Sequence, residues 1–215
     1  MKRIIVVGGG ASGLVAAIFA ARGGSEVTVL ERTNRVGKKI LATGNGRCNI
    51  TNIDCNIDRF HGTNPKFALG SLTAFDQNDA IQFFEQLGIN HKIEAGGKVY
   101  PYSDQASSVL DVLRMEVERL GIHVLVEKEV TQIQKIKEIF KVRCKDQSVY
   151  NADKVIMATG GKAAPHLGSN GSGFPILESL GHTVITPFPA LVQIILDTDL
   201  ARKVKGVKFQ GKITV

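Results

Sequence analysis

The chain has 215 residues, with 27 Lys and Arg against 20 Asp and Glu, and a net charge of +7. Its 43% hydrophobic and 22% charged content excludes a disordered or fibrous chain. The length allows one large domain, or one domain and part of another. Much of the charge excess lies in the last 15 residues, at Arg202, Lys203, Lys205, Lys208 and Lys212. The net charge therefore does not by itself indicate a nucleic-acid-binding protein.

Three cysteines, Cys48, Cys55 and Cys144, form no CxxC pair, which argues against a disulfide framework and against a zinc site. No apolar run approaches the roughly 20 residues of a membrane span. Glycines interrupt the apolar N-terminal stretch, whereas the core of a signal peptide would be continuous. We therefore expect a cytoplasmic protein without a metal site.

The chain opens with a predicted βαβ unit. Ile4–Val7 is a short apolar run typical of a strand buried on both faces. Ala11–Ala21 is rich in alanine and predicts a helix that ends at Gly23. Glu26–Leu30 predicts a second buried strand, and the three elements together indicate a right-handed crossover.

The turn of this unit contains Gly8-x-Gly10-x-x-Gly13, placed between the strand and the helix. Such glycines permit a tight turn, close approach of a pyrophosphate and close packing of the helix on the sheet. Glu31 ends the second strand, where an acidic side chain accepts hydrogen bonds from adenosine ribose hydroxyls. The pattern predicts a dinucleotide site and favours FAD or NAD over NADP.

The stretch from Arg32 to Arg59 has little periodicity and contains six basic residues against two acidic ones. Loops of this length in compact domains are usually functional. Two helices follow, predicted over Asp79–Leu87 and Ser107–Leu120, the second capped by Ser103 or Asp104.

From Ile122 onward the hydrophobic period changes to two. We predict mostly antiparallel strands over Ile122–Leu125, Val130–Ile136, Ile139–Cys144 and Val149–Tyr150. Lys154–Ala158 then predicts a buried strand that runs into Thr159-Gly160-Gly161, followed by a helix over Ile176–Leu180 and a strand over Thr183–Thr186. An antiparallel meander before such a strand is typical of glutathione-reductase-like flavoproteins and favours FAD over NAD.

Pro187 and Pro189 mark a predicted domain boundary. We expect a dinucleotide-binding domain over residues 1–189 and the beginning of a β-rich domain over residues 190–215. The alternating pattern still continues at Ile213–Val215, so we expect the sequence to be part of a longer protein.

The stretch GKKILATGNGRCNITN, from Gly37 to Asn52, resembles the bacterial HI0933-like FAD-dependent flavoproteins, which include aminoacetone-oxidase-like NAD(P)/FAD-dependent oxidoreductases. The GGGASG turn, the Glu31-Arg32 pair and the stretch from Ala158 to Ser169, which begins with ATGG, agree with it, so the resemblance covers the whole chain. Asn45 departs from the commoner glycine. The resemblance implies a glutathione-reductase-like Rossmann-type α/β fold in a ββα three-layer arrangement, with an antiparallel β-meander.

The resemblance also implies a set of cofactor-binding residues. The pyrophosphate group is Gly8, Gly10, Ala11, Ser12 and Gly13, and the adenosine group is Glu31, Arg32 and Val130. The ribityl and isoalloxazine group is Lys39, Thr43, Gly44, Gly46, Arg47, Cys48 and Asn49. The strand end that passes the diphosphate is Ala158, Thr159, Gly160 and Gly161.

The implied activity is that of an FAD-dependent oxidoreductase, with hydride transfer through flavin N5, NAD(P)H as transient co-substrate and C=C reduction as the reaction. A small-molecule substrate is expected, and an RNA substrate stays open. The sequence assigns no catalytic residue, although Lys162 and His166 follow the ATGG turn and are the first to test. An NAD-dependent dehydrogenase and a non-catalytic nucleotide- or RNA-binding module also stay open. We expect this chain alone to bind FAD weakly or not at all.

Two further features have plain interpretations. Cys48 and Cys55 are too far from a flavin-reductase CxxxxC spacing to predict a redox disulfide, so Cys48 is expected to be a thiol packed near the flavin. Tyr100 and Tyr102 flank Pro101 in a predicted turn, where packing is their expected role.

Overall fold

The computed structural model describes residues 1–189 together with residue 203. A first compact unit covers Met1–Ile185, and the described residues after it belong to a second unit. The predicted β-rich domain over residues 190–215 lies, except for Lys203, outside the described residues. The proposed division at residue 189 therefore stays a prediction.

A four-stranded parallel sheet forms the centre of the first unit, in the order β10-β1-β2-β6. Its strands are β1 (Arg3–Val7), β2 (Glu26–Leu30), β6 (His123–Leu125) and β10 (Lys154–Met157). β1 lies between β2 and β10, and its Val6 and Val7 are buried on opposite faces. This explains why its sequence is apolar at every position from Ile4 onward.

One face of the parallel sheet is covered by helices. The helices, in chain order, are α1 (Ala11–Arg22), α2 (Leu69–Ala74), α3 (Gln77–Gln86), α4 (Ala106–Arg119) and α5 (Gly173–Ser179). Of these, α1, α3 and α4 contribute to the core on this face. Leu14 and Ile18 of α1 and Leu113 of α4 are fully buried there with Val6 and Val29 of the sheet. The short α5 packs on the opposite side, where Ile176 is buried.

The other face carries the antiparallel meander, with the strand order β7-β8-β9. Its strands are β7 (Val130–Ile136), β8 (Ile139–Cys144) and β9 (Val149–Ala152). Ile133 and Val142 face each other across β7 and β8 and form a second core with Ile5 and Val7. Helices, parallel sheet and meander therefore make three layers, which confirms the predicted Rossmann-type α/β fold class.

A small antiparallel sheet, in the order β3-β5-β4, is not predicted by the sequence pattern. Its strands are β3 (Thr51–Asn52), β4 (His91–Ile93) and β5 (Lys98–Pro101). Tyr100 and Pro101 belong to β5 and are buried, so the predicted turn at these residues is wrong, and Tyr102 is exposed. The sheet joins the long loop after β2 to the segment before α4.

Three other details of the sequence prediction are wrong. No strand forms over residues 183–186, which are described as irregular chain. β6 pairs in parallel with β2 rather than antiparallel with the meander. The helix α4 begins after Gln105 with no side-chain cap, because Asp104 takes a φ of 55° and binds Lys92 and Arg47 instead.

A buried carboxylate joins α1 to α4. Glu116 of α4 accepts hydrogen bonds from Arg22 at the end of α1 and from Arg119 one turn further along α4. The hydrogen bond from Arg119 lowers the pKa of Glu116 to about 2, with Arg22 acting in the same direction against the effect of burial.

In the part of the chain that the structure describes, no helix is both long and apolar enough to cross a membrane.

Candidate functional site

The glycine turn joins β1 to α1 and owes its shape to close contacts with neighbouring backbone. Gly8 takes a φ of 106°, and a Cβ there would lie 2.5 Å from the carbonyl oxygen of Ala158. A Cβ on Gly13 would lie 1.9 Å from the carbonyl oxygen of Gly8. Only glycine fits at these two positions, because the turn, the helix and the end of β10 approach one another closely.

Gly10 is different, since among the described residues no atom beyond its two chain neighbours lies within 4 Å of the position that its Cβ would take. Gly10 is the N-cap residue of α1, and no side chain caps this helix end. The first turn also contains no acidic residue. An open space beside free helical N–H groups suits a phosphate, which the helix dipole attracts.

Glu31 lies at the carboxyl end of β2, directly beside this turn. Its Oε2 accepts the N–H of Gly9 at 2.7 Å, and its Oε1 accepts the N–H of Thr33 at 2.7 Å. Each oxygen keeps a further acceptor site, since a carboxylate oxygen can accept two hydrogen bonds. The two backbone donors fix the carboxylate at the place where the sequence predicts a contact with ribose hydroxyls.

A cavity of about 550 Å³ extends from the glycine turn. The predicted site residues that line it are Gly8, Gly10, Ala11, Ser12, Glu31, Lys39, Thr43, Cys48, Asn49, Ala158, Thr159 and Gly160. They come from the ends of β1, β2 and β10 and from the loop after β2. The carboxyl ends of parallel strands are where open α/β sheets bind their ligands.

The cavity also contains residues that the sequence pattern does not single out. Its charged lining consists of Arg35, Lys38 and Lys39 against the single acid Glu31, so the site favours an anionic ligand. Its apolar lining comes from α1, α3, α4 and the loop after β2, at Val15, Ile40, Ile50, Phe84, Val109 and Leu113. The basic residues of the loop give some signal for this site, but the apolar residues have the pattern of ordinary core.

The remaining predicted residues lie elsewhere. Arg32 and Val130 line a smaller adjoining cavity that shares Gly8, Glu31 and Thr159 with the main one. Gly13 packs under the turn, and Gly44 approaches the ring of Tyr100. Gly44, Gly46, Arg47 and Gly161 are not part of the lining of either cavity.

Arg47 belongs to a network of four charged side chains. Its Nη1 lies 2.8 Å from Glu94 and 3.4 Å from Asp104, and its guanidinium stacks 4.0 Å from the ring centre of Tyr100. Lys92 binds Asp104 and lies 3.4 Å from Glu94. The hydrogen bond to Glu94 raises the pKa of Arg47 and lowers that of Glu94. The network links residues 45–49, which we call the GRCN loop, to the small sheet.

The same loop contains two residues with left-handed backbone. Asn45 has a φ of 57°, which asparagine tolerates better than most residues, so the departure from glycine is accommodated there. Cys48 has a φ of 61° and is half-buried at the cavity wall. Burial raises the pKa of the Cys48 thiol, and a hydrogen bond with Thr43 lowers it to a smaller extent. The net increase in the pKa favours the protonated thiol at neutral pH. Cys48, Cys55 and Cys144 are all free.

The loop between β10 and α5 folds back over the cavity. Leu167, Gly168 and Ser169 line the cavity from this loop. The Nζ of Lys39 donates a hydrogen bond to the carbonyl of Ala163 at 2.7 Å, and Arg32 donates one to the carbonyl of Gly168 at 2.9 Å. Arg32 and Lys39, two of the three basic residues predicted to touch the cofactor, therefore hold this loop in place.

Lys162 and His166 belong to this loop but are exposed and do not line the cavity. Among the residues that the structure describes, no three His, Cys, Asp or Glu side chains gather into a group that would hold a metal ion.

Taken together, the glycine turn, the open Gly10, Glu31 and the basic lining fit a dinucleotide, with diphosphate at the helix N-terminus and ribose at the carboxylate. The fold and site define a Rossmann-type dinucleotide-binding domain. The family model described as the HI0933-like protein Rossmann domain matches residues 2–213, and the chain belongs to this family.

Two relatives illustrate the range of names in the family. The chain is 44% identical over 215 residues to a 3-dehydro-bile acid delta(4,6)-reductase of Clostridium scindens, covering 99% of this chain and 52% of the relative. It is 32% identical to a ribosomal RNA dihydrouridine synthase of Haemophilus influenzae, covering 87% of this chain and 47% of the relative. The chain therefore spans about half the length of these relatives.

Among solved structures, the fold is similar to the open conformation of a flavocytochrome c3 fumarate reductase, with a TM-score of 0.57 and 18% identity. The alignment covers 83% of this chain and 40% of that chain. At this identity the similarity supports the fold alone.

Proposed function

We propose that the chain is the cofactor-binding part of an FAD-dependent oxidoreductase. The observation that carries the proposal is the cavity in which the glycine turn, Glu31 and the end of β10 converge. The meander between β6 and β10 favours FAD over NAD as the resident cofactor, because it belongs to the flavoprotein variant of the fold. Bound FAD would supply hydride transfer through its N5 atom.

In this proposal the chain binds and orients the cofactor. The free N–H groups at the start of α1 hold the diphosphate, and Glu31 accepts the ribose hydroxyls. Thr43, Cys48 and Asn49 lie along the ribityl chain and the ring, while Arg32 and Val130 border the adenosine. Arg47 contributes by fixing the loop that carries these residues, because its guanidinium is held by Glu94, Asp104 and Tyr100.

For the reaction, we propose the reduction of a C=C bond in a small molecule, with NAD(P)H as electron donor. The name of the 44% identical relative, a reductase, supports this substrate class. An RNA substrate is a second candidate, supported by the ribosomal RNA dihydrouridine synthase name of relatives at 32% and 29% identity. We also propose a cytoplasmic location and a cofactor domain that ends at residue 189.

The test uses two purified samples. One is this chain, and the other is a protein of the length of its relatives that contains this chain. The two visible absorption bands of flavin, and their loss on anaerobic addition of NADH or NADPH, are expected for the full-length protein. Colourless protein that gains no flavin from excess FAD would contradict the proposal. Reoxidation by an unsaturated steroid ketone, rather than by a uridine-containing RNA, would decide between the two substrates.

The same measurement distinguishes a flavoenzyme from an NAD-dependent dehydrogenase and from an RNA-binding module. An NAD-dependent dehydrogenase would bind no flavin. It would instead bind NADH, and this binding would quench or shift the fluorescence of NADH. A non-catalytic RNA-binding module would bind RNA in a salt-sensitive manner and show no bleaching of flavin.

A further inference from the structure

Ser169 is a buried hydroxyl-bearing residue that the cofactor assignment does not use. It is only 8% exposed, and it lies in the wall of the main cavity. Among the described residues, none forms a hydrogen bond with its Oγ. Its oxygen is not fully enclosed, since no fully enclosed side-chain oxygen in the described residues lacks a partner. A hydroxyl in the wall of a cavity with no protein partner is free to donate to a ligand that enters there.

The backbone next to this hydroxyl leaves room for it. A Cβ on Gly160 would lie 2.7 Å from the Oγ of Ser169. Gly160 also has a φ of 72°, in the left-handed region that favours glycine. A side chain at residue 160 would therefore crowd the hydroxyl of Ser169.

The loop that carries Ser169 is held at three places. Its base is closed by the hydrogen bond from the N–H of Gly171 to the carbonyl of Gly161 at 3.0 Å. Arg32 binds the carbonyl of Gly168, directly beside Ser169, and Lys39 binds the carbonyl of Ala163. The hydroxyl is thus positioned before any ligand arrives, which lowers the entropic cost of binding.

The chemistry of the cavity identifies the ligand group. Ser169, Gly10 and Lys39 line the same space, and the uncapped end of α1 gives this space a positive potential. A serine hydroxyl that meets such a space without a protein acceptor is suited to donate to an anion.

We propose that Ser169 is a phosphate-binding residue that donates its hydroxyl proton to the diphosphate of the dinucleotide. The loop between β10 and α5 is the second side of the diphosphate site, and α1 is the first. Arg32 and Lys39 act on the ligand partly through this loop. This inference rests on the proposed function and adds to it a donor from outside the glycine turn.

The experiment compares Ser169→Ala with the unchanged chain by calorimetric titration of ADP, adenosine and FAD. We expect about a tenfold loss of affinity for ADP and FAD, and no change for adenosine, which has no diphosphate. Ser107→Ala, which removes an exposed hydroxyl of α4 that lines neither cavity, is the control and should bind all three ligands normally. The unfolding temperature of ligand-free Ser169→Ala should stay equal or rise, because no protein hydrogen bond is lost.

The outcomes separate the inference from the proposed function. If the unchanged chain binds FAD and ADP and Ser169→Ala binds them equally well, the inference is wrong and the proposed function stands. If Ser169→Ala loses affinity for adenosine to the same extent as for ADP, or unfolds at a lower temperature, the serine has a structural role and the inference is also wrong. If neither the unchanged chain nor a protein of the length of its relatives that contains it binds any of the three ligands, both fail.

Discussion

The glycines of the turn after β1 have different neighbours, and their substitution by alanine should therefore have different effects. Gly13 faces the carbonyl of Gly8, and Gly8 faces the carbonyl of Ala158, so both are required by the packing of the protein itself. Gly10 faces open cavity and is required only by a ligand that enters there. The pattern GxGxxG thus combines folding requirements with a binding requirement.

We expect Gly13→Ala to lower the free energy of unfolding by about 2 kcal/mol or more, because its methyl group would overlap backbone. Gly10→Ala should change it by less than about 1 kcal/mol and weaken FAD binding at least tenfold. Thermal unfolding and FAD titration check both. Gly70→Ala in α2, which also has open space around it, is the control: it should leave FAD binding unchanged and raise the free energy of unfolding by less than about 1 kcal/mol, because alanine favours a helix.

Arg47 gives a second test at the scale of single residues. If its effect on the site passes through the charge network, Arg47→Ala and Glu94→Gln should weaken FAD binding similarly, although Glu94 does not line the cavity. Both should speed amide exchange in the GRCN loop, with only small losses of stability, since these pairs are partly exposed. A loss of FAD affinity in Arg47→Ala alone would instead indicate direct contact with the flavin.

Between elements, the contact of α1 with α4 depends on a carboxylate whose pKa is lowered by its partners. A lowered pKa in the folded state stabilises the fold fully above the unfolded value of 4.5, and the contribution is lost as the pH falls toward about 2. The junction of the two helices is therefore acid-sensitive but constant through the neutral range.

We expect Glu116→Gln to lower the free energy of unfolding by about 2 kcal/mol at neutral pH, because two arginines lose a charged acceptor. The difference from the unchanged chain should shrink as the pH falls below about 4.5. Denaturant unfolding at several pH values measures it. Asp111→Asn, which removes an exposed carboxylate 4.0 Å from Arg114 on the same helix, should show no such difference. A pH-independent effect of Glu116→Gln would contradict the assignment.

How far the sequence predicts each element depends on how long and how regular its hydrophobic pattern is. β1, α1 and β2 are predicted to within a residue, because their burial follows directly from an unbroken apolar or alanine-rich run. β3 and β4 have two and three residues, too few for a period, and their pairing with β5 depends on contacts distant in sequence. Residues 183–186 have a strand-like composition, but strands need a neighbour, and composition cannot supply one.

The same reasoning applies to the site. The glycine turn and Glu31 form a local pattern that the sequence shows directly, whereas Ser169 reaches the cavity from a loop more than 150 residues after Gly10. For Arg47, the family resemblance implies a flavin contact. The sequence does not predict its ion pairs, because Glu94 and Asp104 are distant in sequence and are brought to it only by the small sheet. Loops that fold back, and ion pairs between distant segments, leave no periodic trace.

At the scale of the whole molecule, the described residues that form both cores all precede residue 181. We therefore expect a chain ending at residue 189 to unfold in a single cooperative transition. Circular dichroism recorded during heating measures this transition. A chain ending at residue 170 lacks α5 and the buried Ile176, and should be less stable by about 2 kcal/mol or more. Non-cooperative unfolding of the 189-residue chain would show that later residues complete a core.

The pairing of β1 with β10 also determines when the cofactor site comes into existence during protein synthesis. β1 is made well before its neighbour on one side, which begins at Lys154. Until that strand is made, one edge of β1 has no partner, and the carbonyl of Ala158 that limits the space around Gly8 is missing. Contacts this distant in sequence close late. In the proposed function, flavin therefore stabilises the finished domain and does not guide the folding of the nascent βαβ unit.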